Sequence, residues 1–272
     1  MFPAVSVTFD NLGEAAELEG GVWPDDQPLG RHFTVVDVLP RLLELLDRHG
    51  VRATFFVEAI NAEINEPALR RIADDGHEVA CHAWRHENWA ELELDVERKV
   101  LARCRDALGA VGFRPPGGRL TGATPALLRE LNYRYVSPAG ERAGLDDGLA
   151  VLPFRWPLLD AYYYLPNFEG LRERHGDGAG TMLPGALREA LLRALDEHAA
   201  DGGHLPLLFH PFLVTVSDDA TDVIDDVLAR VRALADEGAL RCVRMDEAAA
   251  WMLEHADQAS QPPVLDESSW MA

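Results

Sequence analysis

The sequence predicts an α/β fold, a single (β/α) barrel of seven or eight parallel strands. Two observations carry this. Short β-rich runs alternate with helical patterns along the 272 residues, and no long linker interrupts them. That rhythm runs for about 250 residues, a length that suits a closed barrel better than the competing open, doubly wound sheet. A third observation removes a rival. No G-x-G-x-x-G or G-x-x-x-x-G-K pattern follows an early strand, which argues against dinucleotide and nucleotide folds.

Each element has a local reason. Ala4-Val5-Ser6-Val7-Thr8-Phe9 is apolar on both faces and reads as a buried strand, ending in Asp10-Asn11-Leu12-Gly13-Glu14. A loop with Gly20, Gly21, Trp23, Pro24 and Pro28 follows. Thr34 is placed to cap a helix whose apolar face is Val35, Val38, Leu39, Leu42, Leu45 and Leu46, and Gly50 stops it. The pattern then repeats: strand 53–57, helix 67–75 stopped by Gly76, strand 77–81, helix 93–108, strand 112–113 running into Pro115-Pro116. A helix at 124–131 and a strand at 135–136 come next. The middle has a strand-like stretch at 149–154, then an aromatic segment from Trp156 to Tyr164. Residues 169–180, rich in glycine and charge, read as a loop over the site. A helix at 184–199, strand 205–209, helix 220–237, strand 240–243 and helix 245–254 complete the barrel. The domain is expected to span 1–256, with a polar tail at 257–272.

Composition narrows the function. A net charge of −21 opposes nucleic acid and anionic membrane surfaces, which need a basic patch, and suits a neutral or cationic small substrate. Cys81, Cys104 and Cys242 form no CxxC and no even framework, so reduced thiols are expected. No apolar run reaches the ~18 residues of a membrane span, and the N-terminus lacks a basic-then-apolar signal, so a cytoplasmic location is expected. Nothing in the sequence sets the oligomeric state; a homo-oligomer is allowed.

The polar residues fall at strand ends. Asp10 and Asn11 follow the first strand, His82 the third, Arg114 the fourth, Asp160 a middle strand and His210 a late one. In a parallel barrel the C-terminal strand ends share one face, and that face holds the active site. His82 and His86 are four residues apart, a spacing that in a helix or tight helical turn brings two imidazoles to one metal ion at about 2 Å.

These stretches also resemble a known family. Thr8-Phe9-Asp10-Asn11 is similar to the first motif of the polysaccharide deacetylases, carbohydrate esterase family 4, which reads Thr-Phe-Asp-Asp. His82-Ala83-Trp84-Arg85-His86 resembles the second motif, Arg114-Pro115-Pro116 the third and Leu208-Phe209-His210 the last, while the segment from Trp156 to Tyr164 with Asp160 stands where the fourth would be. The resemblance runs from Ser6 to about Glu254 and implies a distorted (β/α) barrel.

It also implies chemistry: hydrolysis of a carbon–nitrogen bond other than a peptide bond, by metal-assisted deacetylation of an N-acetylated small molecule or sugar. By position, Asp10 is the base, Arg114 the residue that holds it as a carboxylate, His210 the general acid and Asp160 its orienting partner. Trp84 and Tyr162-Tyr163-Tyr164 are candidates to line the substrate site or simply to fill the core. His82, His86 and Asn11 stand where the family has its metal ligands, for a divalent ion expected to be Zn2+. Asn11 departs from the motif, because an amide is neutral where the family has a carboxylate. Three outcomes stay open: metal held through Asn11, metal held through Glu14, or no metal. Gly13-Glu14 and the short N-terminus also resemble a cytoplasmic branch related to metal-independent allantoinases. The competing readings are therefore a metal-independent, allantoinase-like amide hydrolase and a non-catalytic ligand-binding relative.

Overall fold

The computed structural model describes residues 3–259. Its centre is a nine-stranded, curled sheet: β1 (Ala4–Asp10), β2 (Thr54–Val57), β3 (Glu78–Cys81), β4 (Gly112–Phe113), β5 (Tyr135–Val136), β6 (Gly144–Asp146), β7 (Leu149–Val151), β8 (His204–Phe209) and β9 (Arg241–Cys242). The order is β6-β7-β5-β4-β3-β2-β1-β8, with β9 also on β1. Every pairing is parallel except β6 with β7. This is the distorted barrel the sequence predicted, in a half-barrel form. Single bridges, Ala139 to Phe154 and Leu159 to Leu208, link the segment between β7 and β8 to the wall.

The middle of the sheet is dry. All seven residues of β1 are buried, because β2 and β8 flank it and helices cover it outside. Along one edge β1 pairs with β2 at Thr8–Asp10, and β9 takes up the same edge at Ala4 and Val5. Phe9 stacks on Phe55 at 4.8 Å between ring centroids and meets Phe209 at 6.0 Å, tying β1, β2 and β8 into one core. The helix Leu39–His49 buries Leu39, Leu42, Leu43, Leu45 and Leu46 and ends at Gly50, whose φ of 64° is the left-handed C-cap that the sequence suggested. At the opposite end from the site, Glu78 accepts hydrogen bonds from Thr54, Tyr135 and the Asp246 N–H, pinning the last helix, Met245–Glu254, to the sheet.

Three expectations need correction. Thr34 does not cap its helix: it opens a π-helical turn, Thr34–Val38, and its hydroxyl accepts from the Gly13 N–H at 3.0 Å. Residues 169–180 are not a loop over the site. Glu169–His175 is a helix, held because the fully buried Arg172 guanidinium donates to the carbonyls of Tyr162, Leu165 and Ala179. Finally, the strand at 149–151 has an antiparallel partner, β6. Its two-residue turn is Asp147-Gly148, with φ of 45° and 81°, the Asp-Gly hairpin signal that the helical rhythm around it obscured. Of the tail expected from 257, residues 260–272 lie outside the described residues. No described helix is long and apolar enough to cross a membrane, and all three cysteines are free.

Candidate active site

All seven residues expected at the site come together. Asp10, Asn11, His82, His86 and His210 line one cavity of about 330 Å³ at the C-terminal strand ends. Arg114 and Asp160 stand behind them, 0% and 2% exposed.

Arg114 is the hub. Its Nη1 donates to Asp10 Oδ1 at 2.6 Å and to Thr8 Oγ1 at 3.0 Å, and its Nε and Nη2 donate to Ser137 Oγ. The guanidinium lies 3.9 Å from the Phe56 ring centroid, so its faces are covered as well as its edges. Burial lowers its pKa, and the Asp10 carboxylate is the main counterweight. Four of its five N–H donors are engaged inside the protein, and its side chain is fully buried. What it does is fix Asp10, with Oδ1 bound and Oδ2 turned to His82.

His82 Nδ1 lies 2.9 Å from the Arg114 carbonyl, which can only accept. Burial lowers the His82 pKa to about 3, so the ring is neutral with its proton on Nδ1. Its Nε2 is therefore bare, 4.0 Å from Asp10 Oδ2. Two acceptors face each other at that distance, too far for a direct bond and suited to one shared donor. His86 is not a helical turn away as expected. The chain reaches it through left-handed residues, Ala83 at φ 64° and His86 itself at φ 74°. The rings still meet, 5.0 Å between centroids, and burial, then His82 and His210, lower the His86 pKa to about 3.

His210, directly after β8, donates from its backbone N–H to Asp160 Oδ2 at 2.7 Å and from Nδ1 to Asp160 Oδ1 at 2.6 Å. Burial alone would lower its pKa. The Asp160 charge and hydrogen bond outweigh burial, and the pKa is raised. With Nδ1 engaged, Nε2 is the nitrogen left for chemistry.

Asn11 adopts φ 65°, a left-handed conformation that Asn tolerates better than most residues. Its Nδ2 donates to Glu58 Oε1 at 2.7 Å, and the Leu12 N–H donates to Glu58 Oε2 at 3.2 Å. Glu58 is 1% exposed, and burial raises its pKa to about 8. Sequence reasoning missed it, although the signal was the one used elsewhere: a charged residue directly after an apolar strand, here β2. Glu14, the alternative third ligand, is excluded from the site. It is fully buried elsewhere, accepting from the Gly30 N–H at 2.5 Å and Asn65 Nδ2 at 3.1 Å. Nor do Trp84, Tyr162, Tyr163 or Tyr164 line the cavity. Trp84 packs under the Arg103 guanidinium, and the Tyr162 and Tyr163 hydroxyls are spent on Asp177 and the Pro157 carbonyl. The aromatic lining comes from Phe154, Trp156, Phe168 and Phe212.

These donors do not fit a tightly held Zn2+. His82, His86 and Asn11 are all neutral, and Asp10 is already paired with Arg114. Among the described residues no set of three or more His, Cys, Asp and Glu side chains is placed to hold a metal ion. The missing term is charge, which yields a direct test. Asn11→Asp should raise Zn2+ affinity at least about tenfold in a competition titration against a chelator, worth about 1.4 kcal/mol. The Glu58 proton would limit repulsion from the new carboxylate. Unchanged affinity would mean that position 11 does not reach a cation at all.

Residues 3–136 match the model of the polysaccharide deacetylase family. That stretch carries Asp10, His82, His86 and Arg114. A peptidoglycan-N-acetylglucosamine deacetylase of Bacillus cereus is 31% identical over 107 residues, 37% of this chain and 39% of that protein. The chain spans about two fifths of the length of the first curated relatives it matches. Among solved structures, a candidate polysaccharide deacetylase from Mycobacterium smegmatis has a TM-score of 0.76 at 27% identity, covering 97% of this chain and 93% of that one. A PuuE allantoinase has a TM-score of 0.68 at 17% identity, covering 93% and 91%, a likeness of fold alone.

Proposed function

We propose that the protein hydrolyses the carbon–nitrogen bond of a small amide, releasing the acyl group from an N-acetylated amine. The observation that carries this reading is the pair of charged couples on one cavity. Asp10 is held by Arg114 at 2.6 Å and His210 by Asp160 at 2.6 Å, one placed to take a proton and the other to give one.

In this reading water donates to Asp10 Oδ2 and to the bare His82 Nε2, the two acceptors 4.0 Å apart. Asp10 takes a proton as the water oxygen attacks the carbonyl carbon. The carbon–nitrogen bond then breaks, and His210 Nε2 delivers its proton to the leaving nitrogen. The products are a carboxylic acid and an amine, and proton exchange with solvent resets Asp10 and His210. None of these steps calls on a metal.

A second reading keeps the same residues and adds a weakly held divalent cation on His82, His86 and Asn11. The His82 Nδ1 bond to a backbone carbonyl favours it, because that bond leaves Nε2 with a free lone pair, as in metal-bound histidines. Acetate release from a panel of N-acetylated amines, measured after exhaustive chelation and again after adding Zn2+, separates the two. Hydrolysis that survives chelation is the expected result. Activity lost on chelation and restored by Zn2+ would establish the second reading, and no acyl release under either condition would overturn both.

A further inference from the structure

The cavity is chemically two-sided. Its reactive side is Asp10, Asn11, His82, His86 and His210. The other side comes from the segment between β7 and β8 and from the turn after His210: Phe154, Trp156, Leu165, Phe168 and Phe212. The rings there form a continuous wall, Phe154 to Trp156 at 5.2 Å and Trp156 to Phe168 at 5.6 Å. Away from the reactive groups, the polar side-chain groups on the cavity, among the described residues, are the solvent-exposed Asn167 amide and the single indole N–H of Trp156.

That distribution bears on the substrate. A sugar brings several hydroxyls, and each one moved from water into a site without partners carries a penalty of about 1–3 kcal/mol. A ring face can stack on Trp156, but the hydroxyls around its edge would meet phenyl and leucyl carbon. No Lys or Arg lines the cavity, and Arg114 is buried behind it, so apart from His210, whose charge is already paired with Asp160, no cation is offered to a carboxylate or phosphate. The volume, about 330 Å³, is near the lower end of small-molecule sites and suits one compact molecule. Phe212 stands 5.4 Å from the His210 ring, so the wall begins beside the group that meets the leaving nitrogen.

We propose that the substrate is a small N-acyl amine whose nitrogen carries an apolar, preferably aromatic, group lying along the Phe154–Trp156–Phe168 wall, and not an amino sugar. This rests on the amide-hydrolase reading above and adds the class of amine. It differs from the family resemblance, which implies sugar or small N-acetyl substrates without distinguishing them.

The test compares two amides with the same acetyl group, N-acetylbenzylamine and N-acetylglucosamine, on the full-length protein. The expected result is a kcat/KM at least about tenfold higher for the benzyl amide, the discrimination that buried apolar contact and unpaired hydroxyls supply. Trp156→Ala should collapse that ratio towards one, mainly by raising KM for the benzyl amide. Equal or better hydrolysis of the sugar would overturn the inference and leave amide hydrolysis standing. If neither amide is hydrolysed, the functional reading fails, and calorimetric binding of the same two molecules decides the inference. Tighter binding of the benzyl amide supports it, and equal or weaker binding overturns it.

Discussion

Asp10→Asn should lower kcat/KM by about 10³-fold, within the range lost when a general base is removed. The substitution is nearly isosteric, so Arg114 and Thr8 keep neighbours of the same shape, and what disappears is the charge and the proton acceptor. It also strands a guanidinium that is 0% exposed. Losing the partner of a buried charge destabilises by about 3–5 kcal/mol, so a fall in Tm should accompany the loss of rate. The two effects separate when rates are measured well below the variant's Tm and scaled to folded protein. A variant within about threefold of the wild-type rate, a change of under 1 kcal/mol, would remove Asp10 from the chemistry.

Asp160→Asn should move the alkaline limb of the pH–rate profile downwards. In the wild type, burial works against the His210 imidazolium, and the Asp160 charge and hydrogen bond more than offset it, holding the pKa above 6.5. Activity that needs a protonated His210 therefore persists above that pH. Without the carboxylate, only the weaker pull of the Asp10 charge opposes burial, the pKa falls, and the acid form is scarcer at pH 7. The expected result is a limb at least one pH unit lower, about 1.4 kcal/mol, with the loss of rate growing as pH rises. Stability follows the same sign. A pKa raised on folding stabilises fully below the unfolded value and ceases to do so as pH rises through the folded value, so the wild-type advantage over Asp160→Asn should shrink at alkaline pH. A limb that stays in place would mean that His210 is not the acid.

Much of the site was legible before any coordinates, and for a simple reason. Parallel strands in a barrel place their C-terminal ends on one face, so the chemistry-bearing residues at 10, 82, 114 and 210 had to meet once the strand rhythm was read. What failed were readings that needed side-chain direction. The tyrosines of 162–164 were candidates for the substrate wall. In the fold the helix Asp160–Tyr164 turns two of them into the core, and the wall is built by Trp156 and by Phe168, which lies in a turn the loop reading passed over. The helical spacing of His82 and His86 suggested the correct meeting by the wrong route, since two left-handed residues, not a helix, bring the rings together.

The carboxylates show the division most clearly. By itself the sequence determined the barrel, the strand-end residues now proposed as base and acid, and an amide, Asn11, where the resembled motif has a carboxylate. It could not say which carboxylate stands next to that amide. Glu14 is three residues away and Glu58 forty-seven, so proximity along the chain favoured Glu14. Gly13, at φ 74°, turns the chain, and Glu14 is buried against Asn65 and the Gly30 N–H. Meanwhile the parallel register sets Asp10 beside Phe56, and two residues further on each strand end Glu58 meets the Leu12 N–H and the Asn11 amide. A single backbone turn and a strand register decided the outcome, and both are tertiary facts: they depend on what packs against β1 and not on the order of residues within it.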